Sequence, residues 1–338
     1  MITDAIKEVV EGRDLSPDEV EAAMDSILDG EATAAQIAAF VVGLRMKGES
    51  ADEIAAAARA LRKHCEHIHP NVDGPLLDTC GTGGDGLHTF NISTAAAVVA
   101  AACGVAVAKH GNRAVSSTAG SADVLEALGV RIDLAPERVQ RCIEQIGIGF
   151  LFAPSHHSAM RRAAPVRREL GIRTIFNLLG PLSNPAAATH QVVGIYDGER
   201  VATVARALGS LGLTAAWVVH GDGGLDEVSP SGPTTVAQWV DGEISTFEIT
   251  PRDFGLPEVP LRALQGGDAR RNAEIIDGVL LGDPGPARIA VLVNAAAALC
   301  VTGLVTDRRV AAERAVEAID SGAAKETLNR WVQFTRKS

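Results

Sequence analysis

Asp78-Thr79-Cys80-Gly81-Thr82-Gly83-Gly84-Asp85-Gly86 puts four glycines into six consecutive positions, directly behind a short apolar run at 76–79. With no Cβ in the way, backbone N–H groups can close on a ligand, and the guest that suits such a turn is an anionic oxygen. Gly81, Gly83 and Gly86 also satisfy G-x-G-x-x-G, but a dinucleotide site needs a helix opening directly from the loop and an acidic residue about 20 positions on. Here Leu87 to Asn91 intervene, and the next strand ends in Lys109, a cation. The G-K-[ST] ending of a P-loop is missing as well. The segment reads as a phosphate-type site, with a plain structural turn as the alternative.

Asn91-Ile92-Ser93-Thr94 precedes a run of alanines and valines. These are preferred helix-capping residues, and a helix N-terminus with hydroxyls and free N–H groups is itself an anion site, so both readings hold together. Ser93 can also turn its hydroxyl to a metal accompanying the phosphate. Lys109-His110-Gly111-Asn112-Arg113-Ala114-Val115-Ser116-Ser117 follows the second strand of this region, at the edge where α/β proteins bind ligands. It offers two cations, an amide and two hydroxyls, and one of only six lysines in the chain. Gly120-Ser121 then opens another helix toward the same crevice. Asp226 and Glu227 follow Val218-Val219-His220-Gly221-Asp222-Gly223-Gly224. Adjacent carboxylates in a turn repel and call for a compensating cation, and Mg²⁺ with oxygen ligands and retained waters suits a diphosphate.

Arg161, Arg162, Arg167, Arg168 and Arg173 form a basic stretch. Most of it reads as a solvated face, and one member can serve as a planar fork for a carboxylate, without the sequence choosing which. His64-Cys65-Glu66-His67-Ile68-His69 resembles metal spacing, but a helix end running into a linker explains it equally well. His156-His157 either touches substrate or lines a loop.

The elements that must position these groups fall into two grammars. Residues 1–68 read as helical: Ser16, Pro17 and Glu19 form a capping box ahead of 20–28, Ser50 and Glu53 repeat it ahead of 54–61, and Gly48 closes the helix between them. Ile37, Phe40, Val41 and Leu44 share one face, with alanine flanks that suit packing on the rest of the chain or on a second copy. From about residue 70 onward, short apolar runs alternate with capped helices, the pattern of a parallel sheet covered on both faces. Strands are expected at 76–79, 105–108, 149–152, 191–195 and 215–219, and helices at 94–103, 122–128 and 136–146. A smaller hairpin region is expected at 228–260, then helix again from Asp268.

The 338 residues carry 31 Lys and Arg against 42 Asp and Glu, a net charge of −11, which disfavours a nucleic-acid partner. Five widely spaced cysteines read as reduced thiols. No apolar run is long enough for a membrane span, Met1 to Glu8 lacks a signal-peptide layout, and the cytoplasm is the expected location.

In order and spacing, G-T-G-G-D, N-I-S-T, K-H-G-N-R-A-V-S-S, R-T-I-F-N-L-L-G-P-L-S-N-P and L-D-E-V-S-P resemble the anthranilate phosphoribosyltransferase family over nearly the whole chain. The resemblance implies a small all-helical N-terminal domain (1–68), dimerising with helices near 160–182. It further implies a large α/β domain (72–338) with a mostly parallel central sheet flanked by helices, of the nucleoside phosphorylase/phosphoribosyltransferase type. It implies transfer of the 5-phosphoribosyl group of phosphoribosyl pyrophosphate (PRPP) to anthranilate in tryptophan biosynthesis, by a magnesium-dependent homodimer. Carried over by position, it assigns Gly81, Gly84, Asp85, Thr89, the run Asn91, Ile92, Ser93, Thr94, the run Lys109, His110, Gly111, Asn112, Arg113, Ala114, Val115, Ser116, Ser117, and Ser121 to PRPP. It assigns Ser93, Asp226 and Glu227 to magnesium, and Gly81, His110, Asn112 and Arg167 to anthranilate, with Lys109, Arg167, Asp226 and Glu227 as the catalytic set. Ser158 and Arg162 depart from the family's usual Pro and His or Tyr, which bears on the acceptor's entry path. A pyrimidine nucleoside phosphorylase-like enzyme is the nearest alternative, and a non-catalytic nucleic-acid-binding relative a second; neither is expected to keep the Asp-Glu turn together with Gly-Asn-Arg.

Overall fold

The computed structural model describes residues 2–114 and 118–337. Its first helices are α1 (Ile2–Val10), α2 (Pro17–Leu28), α3 (Ala34–Lys47) and α4 (Ala51–Lys63), the last three beginning where local capping dictates. The Ser16/Glu19 and Ser50/Glu53 boxes are both formed, and Gly48 ends α3 at φ 88°. A third box, Thr33 with Gln36, starts α3.

Then β1 (Leu76–Gly81), α5 (Ile92–Ala102), β2 (Ala106–Gly111), α6 (Ser121–Ala127), α7 (Pro136–Ile146) and β3 (Ile148–Phe152) alternate as expected. Strand β2 runs further than its apolar residues: Lys109, His110 and Gly111 stay in the ladder opposite Phe150, Leu151 and Phe152, so they are strand and not the loop behind it. Short helices α8 (Ala153–His156), α9 (Ala164–Leu170) and α10 (Ile175–Leu182) lead to β4 (His190–Gly194), α11 (Val201–Ser210) and β5 (Ala215–Gly221). The hairpin expected at 228–260 is β6 (Thr234–Val240) with β7 (Glu243–Ile249), and it is not a separate region: β6 pairs antiparallel with β5 from Ala215↔Val240 to Gly221↔Thr234 and extends the main sheet. Helices α12 (Ala269–Leu280), α13 (Pro286–Val301), α14 (Arg308–Asp320) and α15 (Ala323–Arg336) complete the chain.

Strand order is β3-β2-β1-β4-β5-β6-β7, parallel through β5. The chain leaves β1 in one direction for β2 and β3 and returns on its other side for β4 and β5, so a crevice opens outside the carboxyl ends of β1 and β4. Successive strand residues face opposite layers. Val192 and Val219 join α5, α13 and α15 in one core, whereas Val193 and Val218 join α10, α11 and the N-terminal helices in the other. Helices α9 and α10 thus belong to the layer that also contains α3 and α4. Among the described residues no helix is long and apolar enough to cross a membrane, and all five cysteines are free thiols.

Candidate active site

The glycine loop, the start of α5, the end of β2 and the Asp226-Glu227 turn gather at the carboxyl ends of the parallel strands. Gly81 ends β1 beside Gly194, which ends β4. A Cβ on Gly81 would press on the Asp226 carboxylate, and one on Gly194 would overlap the Asp226 carbonyl. The two glycines make room for the acidic turn to cross the switch point. Asn294, buried in α13, fixes that turn from behind: its Oδ1 accepts from the Val228 N–H and its Nδ2 donates to the Val228 carbonyl, both at 2.9 Å.

The two carboxylates reach the two predicted anion positions. Asp226 Oδ2 accepts from the Gly83 N–H at 2.6 Å, and Glu227 Oε1 accepts from the Ser93 N–H at 3.0 Å in the first turn of α5. The Asn91 side chain does not cap that helix. It donates to the Ala119 carbonyl and accepts from Asn272, which leaves the helix N-terminus to an incoming acid. Burial, with the charges of Glu227 and Asp85, drives the Asp226 carboxyl well above the usual carboxylate range, and burial raises Glu227 to about 7. Asp85 Oδ1 accepts from the Leu87 N–H at 3.0 Å, while its buried Oδ2 receives no hydrogen bond. Clustered carboxylates whose lone pairs exceed the available donors match a hard divalent cation with oxygen ligands. Among the described residues, no three acidic, histidine or cysteine side chains stand together so as to hold a metal ion by themselves.

Lys109 lies beneath this cleft, 1% exposed, with Nζ donating to the Thr79 carbonyl at 2.6 Å and to Ser93 Oγ at 3.5 Å. Burial lowers its ammonium and raises the carboxyl of Asp78, which accepts from the His110 N–H and from the amides of Asn184 and Gln191. Thr89 forms an isolated bridge with Gln265. Ile92, in the run 91–94, has its side chain fully buried in the core, because it occupies the inward position of α5. Thr94 is buried too, its hydroxyl without a partner. The Arg113 guanidinium is tied to Asp123 and Glu126 of α6. Gly111 abuts Ser121, whose hydroxyl donates to the Asn112 carbonyl at 3.4 Å, and the Ala114 N–H donates to Asp123. Val115, Ser116 and Ser117 lie outside the described residues.

Helix α10 joins the remaining candidates. The Arg167 guanidinium stands 5.6 Å over the Phe176 ring, and the Gly180 carbonyl bonds His110 Nδ1 at 3.1 Å. Phe176 and Gly180 are one turn apart, so Arg167 and His110 contact the same helix at points one turn apart. Arg167 makes no ion pair among the described residues, and burial lowers its guanidinium, the environment of a cation suited to a ligand's carboxylate. The His157 ring lies 5.1 Å from that of His110, tilted by 59°, and burial takes it down to about 4. The His64–His69 segment, by contrast, is stitched to α8 through Glu66 N–H to the His156 carbonyl and His156 Nδ1 to the Glu66 carbonyl. Asp78, Asn184, Asn294 and Arg173 were not singled out from sequence as site residues. Asn184 and Arg173 lie inside the R-T-I-F-N-L-L-G-P-L-S-N-P motif, but nothing local marks their partners.

The family model described as the helical bundle domain of a glycosyl transferase family matches residues 3–65, and its a/b domain model matches 73–325. Anthranilate phosphoribosyltransferase of Symbiobacterium thermophilum is 53% identical over 98% of this chain and 97% of its own. The crystal structure of the Thermus thermophilus enzyme of that name superposes with a TM-score of 0.94 at 45% identity, covering 99% of this chain and 100% of that one. The Saccharomyces cerevisiae enzyme, in complex with PRPP and Mg, gives a TM-score of 0.90 at 30% identity over 99% and 97%. With that likeness running through both the helical and the α/β parts, the chain belongs to the anthranilate phosphoribosyltransferase family.

Proposed function

We propose that this chain transfers the 5-phosphoribosyl group of PRPP to the amino group of anthranilate, releasing pyrophosphate, as a step of tryptophan biosynthesis. The observation that carries the reading is the paired arrangement of Asp226 on Gly83 and Glu227 on Ser93: two N–H anion positions, each faced by a carboxylate, across one switch point. Breaking the C1–O bond puts positive charge on the ribose and negative charge on the departing pyrophosphate, so stabilising the leaving group is the principal task. The glycine-loop N–H groups and the α5 N-terminus receive its oxygens, with the buried Lys109 charge beneath them. Magnesium held by Asp226, Glu227 and Ser93 supplies, when bound, further positive charge against the diphosphate.

The aromatic amine of anthranilate is uncharged at neutral pH and needs orientation more than deprotonation. Arg167 grips its carboxylate, with Asn112 and His110 beside it, and the fixed geometry lowers the entropic barrier. No covalent intermediate is required. The site is read as the cleft between a helical domain at 1–68, joined by α9 and α10, and an α/β domain at 72–338, closing about residues 65–75 to exclude water. The exposed Val10 and Met46 on α1 and α3 support a homodimer through the helical domain, and the free thiols suit the cytoplasm. The deciding assay follows anthranilate fluorescence after PRPP is added. It falls with magnesium present and stays level with a chelator; a constant signal with both substrates and magnesium overturns the assignment.

A further inference from the structure

Arg173 sits between Gly171, the left-handed cap of α9, and Thr174, which opens α10. Its guanidinium carbon lies 3.7 Å from the centroid of Tyr196, the only tyrosine of the chain, and its Nη2 donates to the Gly84 carbonyl. Tyr196 itself is attached to the same loop: its N–H donates to Thr82 Oγ1 at 3.3 Å, while the Thr82 N–H donates to the Gly194 carbonyl at 2.9 Å. The glycine loop is therefore held at Thr82 by the end of β4 and at Gly84 by Arg173.

That loop needs holding. Gly83, Gly84 and Gly86 all have positive φ, at 69°, 77° and 78°, and glycine runs of this kind lose more freedom on ordering than any other sequence. In a trans peptide the carbonyl and the following N–H point to opposite sides, so anchoring the Gly84 carbonyl on Arg173 fixes the direction of the Asp85 N–H. An arginine stacked on an aromatic ring keeps its planar fork pre-aimed.

We infer that Arg173 is a positioning residue of the donor site, which with Tyr196 holds the glycine loop in the shape that receives the diphosphate of PRPP. The inference rests on the reading of this cleft as a PRPP site. It differs from the role of Arg167, six residues earlier, which faces the acceptor.

Steady-state kinetics and calorimetric titration with PRPP and magnesium test it on the full-length wild type, Arg173→Ala, Arg173→Lys, Tyr196→Ala and the double alanine variant. Loss of one charge-assisted hydrogen bond predicts that Arg173→Ala raises the PRPP KM and dissociation constant about tenfold, with the anthranilate KM within about twofold. The double variant is no worse than Arg173→Ala alone, because the two residues act as one unit. Arg173→Lys keeps charge and stem but loses the planar face, and its PRPP KM rises by about threefold or more. A wild type that binds PRPP beside an Arg173→Lys variant with unchanged PRPP KM overturns the inference, as does additivity of the two alanine changes. A wild type that shows no PRPP binding overturns instead the reading of the cleft.

Discussion

Asp226 accepts a hydrogen bond from the Gly83 N–H at 2.6 Å across the switch point. Glu227 does the same at Ser93. Both backbone donors are thus paired with acidic side chains, and on the proposed reading the diphosphate of PRPP competes for the same N–H groups.

On the proposal that Asp226 and Glu227 hold magnesium, replacing both carboxylates with amides keeps the hydrogen-bond acceptors and removes the charge the ion needs. Asp226→Asn with Glu227→Gln lowers kcat/KM for PRPP roughly a hundredfold or more and raises the magnesium concentration for half-maximal rate. A magnesium titration of initial rates checks both; an unchanged half-saturation point excludes these residues as the ion's holders.

Arg167→Ala separates acceptor from donor. Losing a charge-assisted grip on a carboxylate costs roughly tenfold to hundredfold in anthranilate KM, with PRPP KM little changed. Saturation curves for each substrate at fixed excess of the other report the split, and an untouched anthranilate curve removes Arg167 from the acceptor site.

Two glycines give a contrasting pair. Gly194→Ala drives a methyl into the backbone of Asp226, which no rotamer change relieves; stability falls by ~1–3 kcal/mol and magnesium half-saturation shifts with the displaced turn. Gly180→Ala in α10 meets open space and stabilises by about 0.5–1 kcal/mol. Urea unfolding of the two variants side by side gives the comparison.

His157 makes stability depend on pH. Its folded value near 4 lies below the ordinary 6.5, chiefly through burial, so between those limits the unfolded chain binds the proton that the folded protein refuses. Stability is therefore fully present above pH 6.5 and is lost as pH falls toward 4, by ~3 kcal/mol from this residue. His110 and His156 are lowered as well, so His157→Gln reduces the slope without abolishing it. Unfolding free energies measured from pH 4.5 to 7 test this, and an identical slope in the variant contradicts it.

What was legible in the sequence was local. Ser16 with Glu19 and Ser50 with Glu53 announce helices because both partners of each box lie three residues apart. The glycine loop and the Asp226-Glu227 turn announce themselves by composition. Asp78 with Asn184, 106 positions apart, and Val228 with Asn294, 66 apart, are invisible until the sheet forms, since any of many amides suits either partner. The partners of Arg113 are hidden for the same reason: its charge is plain, but Asp123 and Glu126 meet it only once α6 folds back. The hairpin was legible as a region at 228–260, whereas its attachment to β5 depends on an edge that the parallel strands leave unpaired.

Helix α10 works as a ruler. Phe176 and Gly180 mark an interval graduated by backbone pitch, so loosening of the surface loops leaves the spacing between the two groups they touch unaltered. One residue inserted between those marks would swing Phe176 about 100° around the axis, and the cation resting on its ring would be carried away from the imidazole with no bond in either group broken.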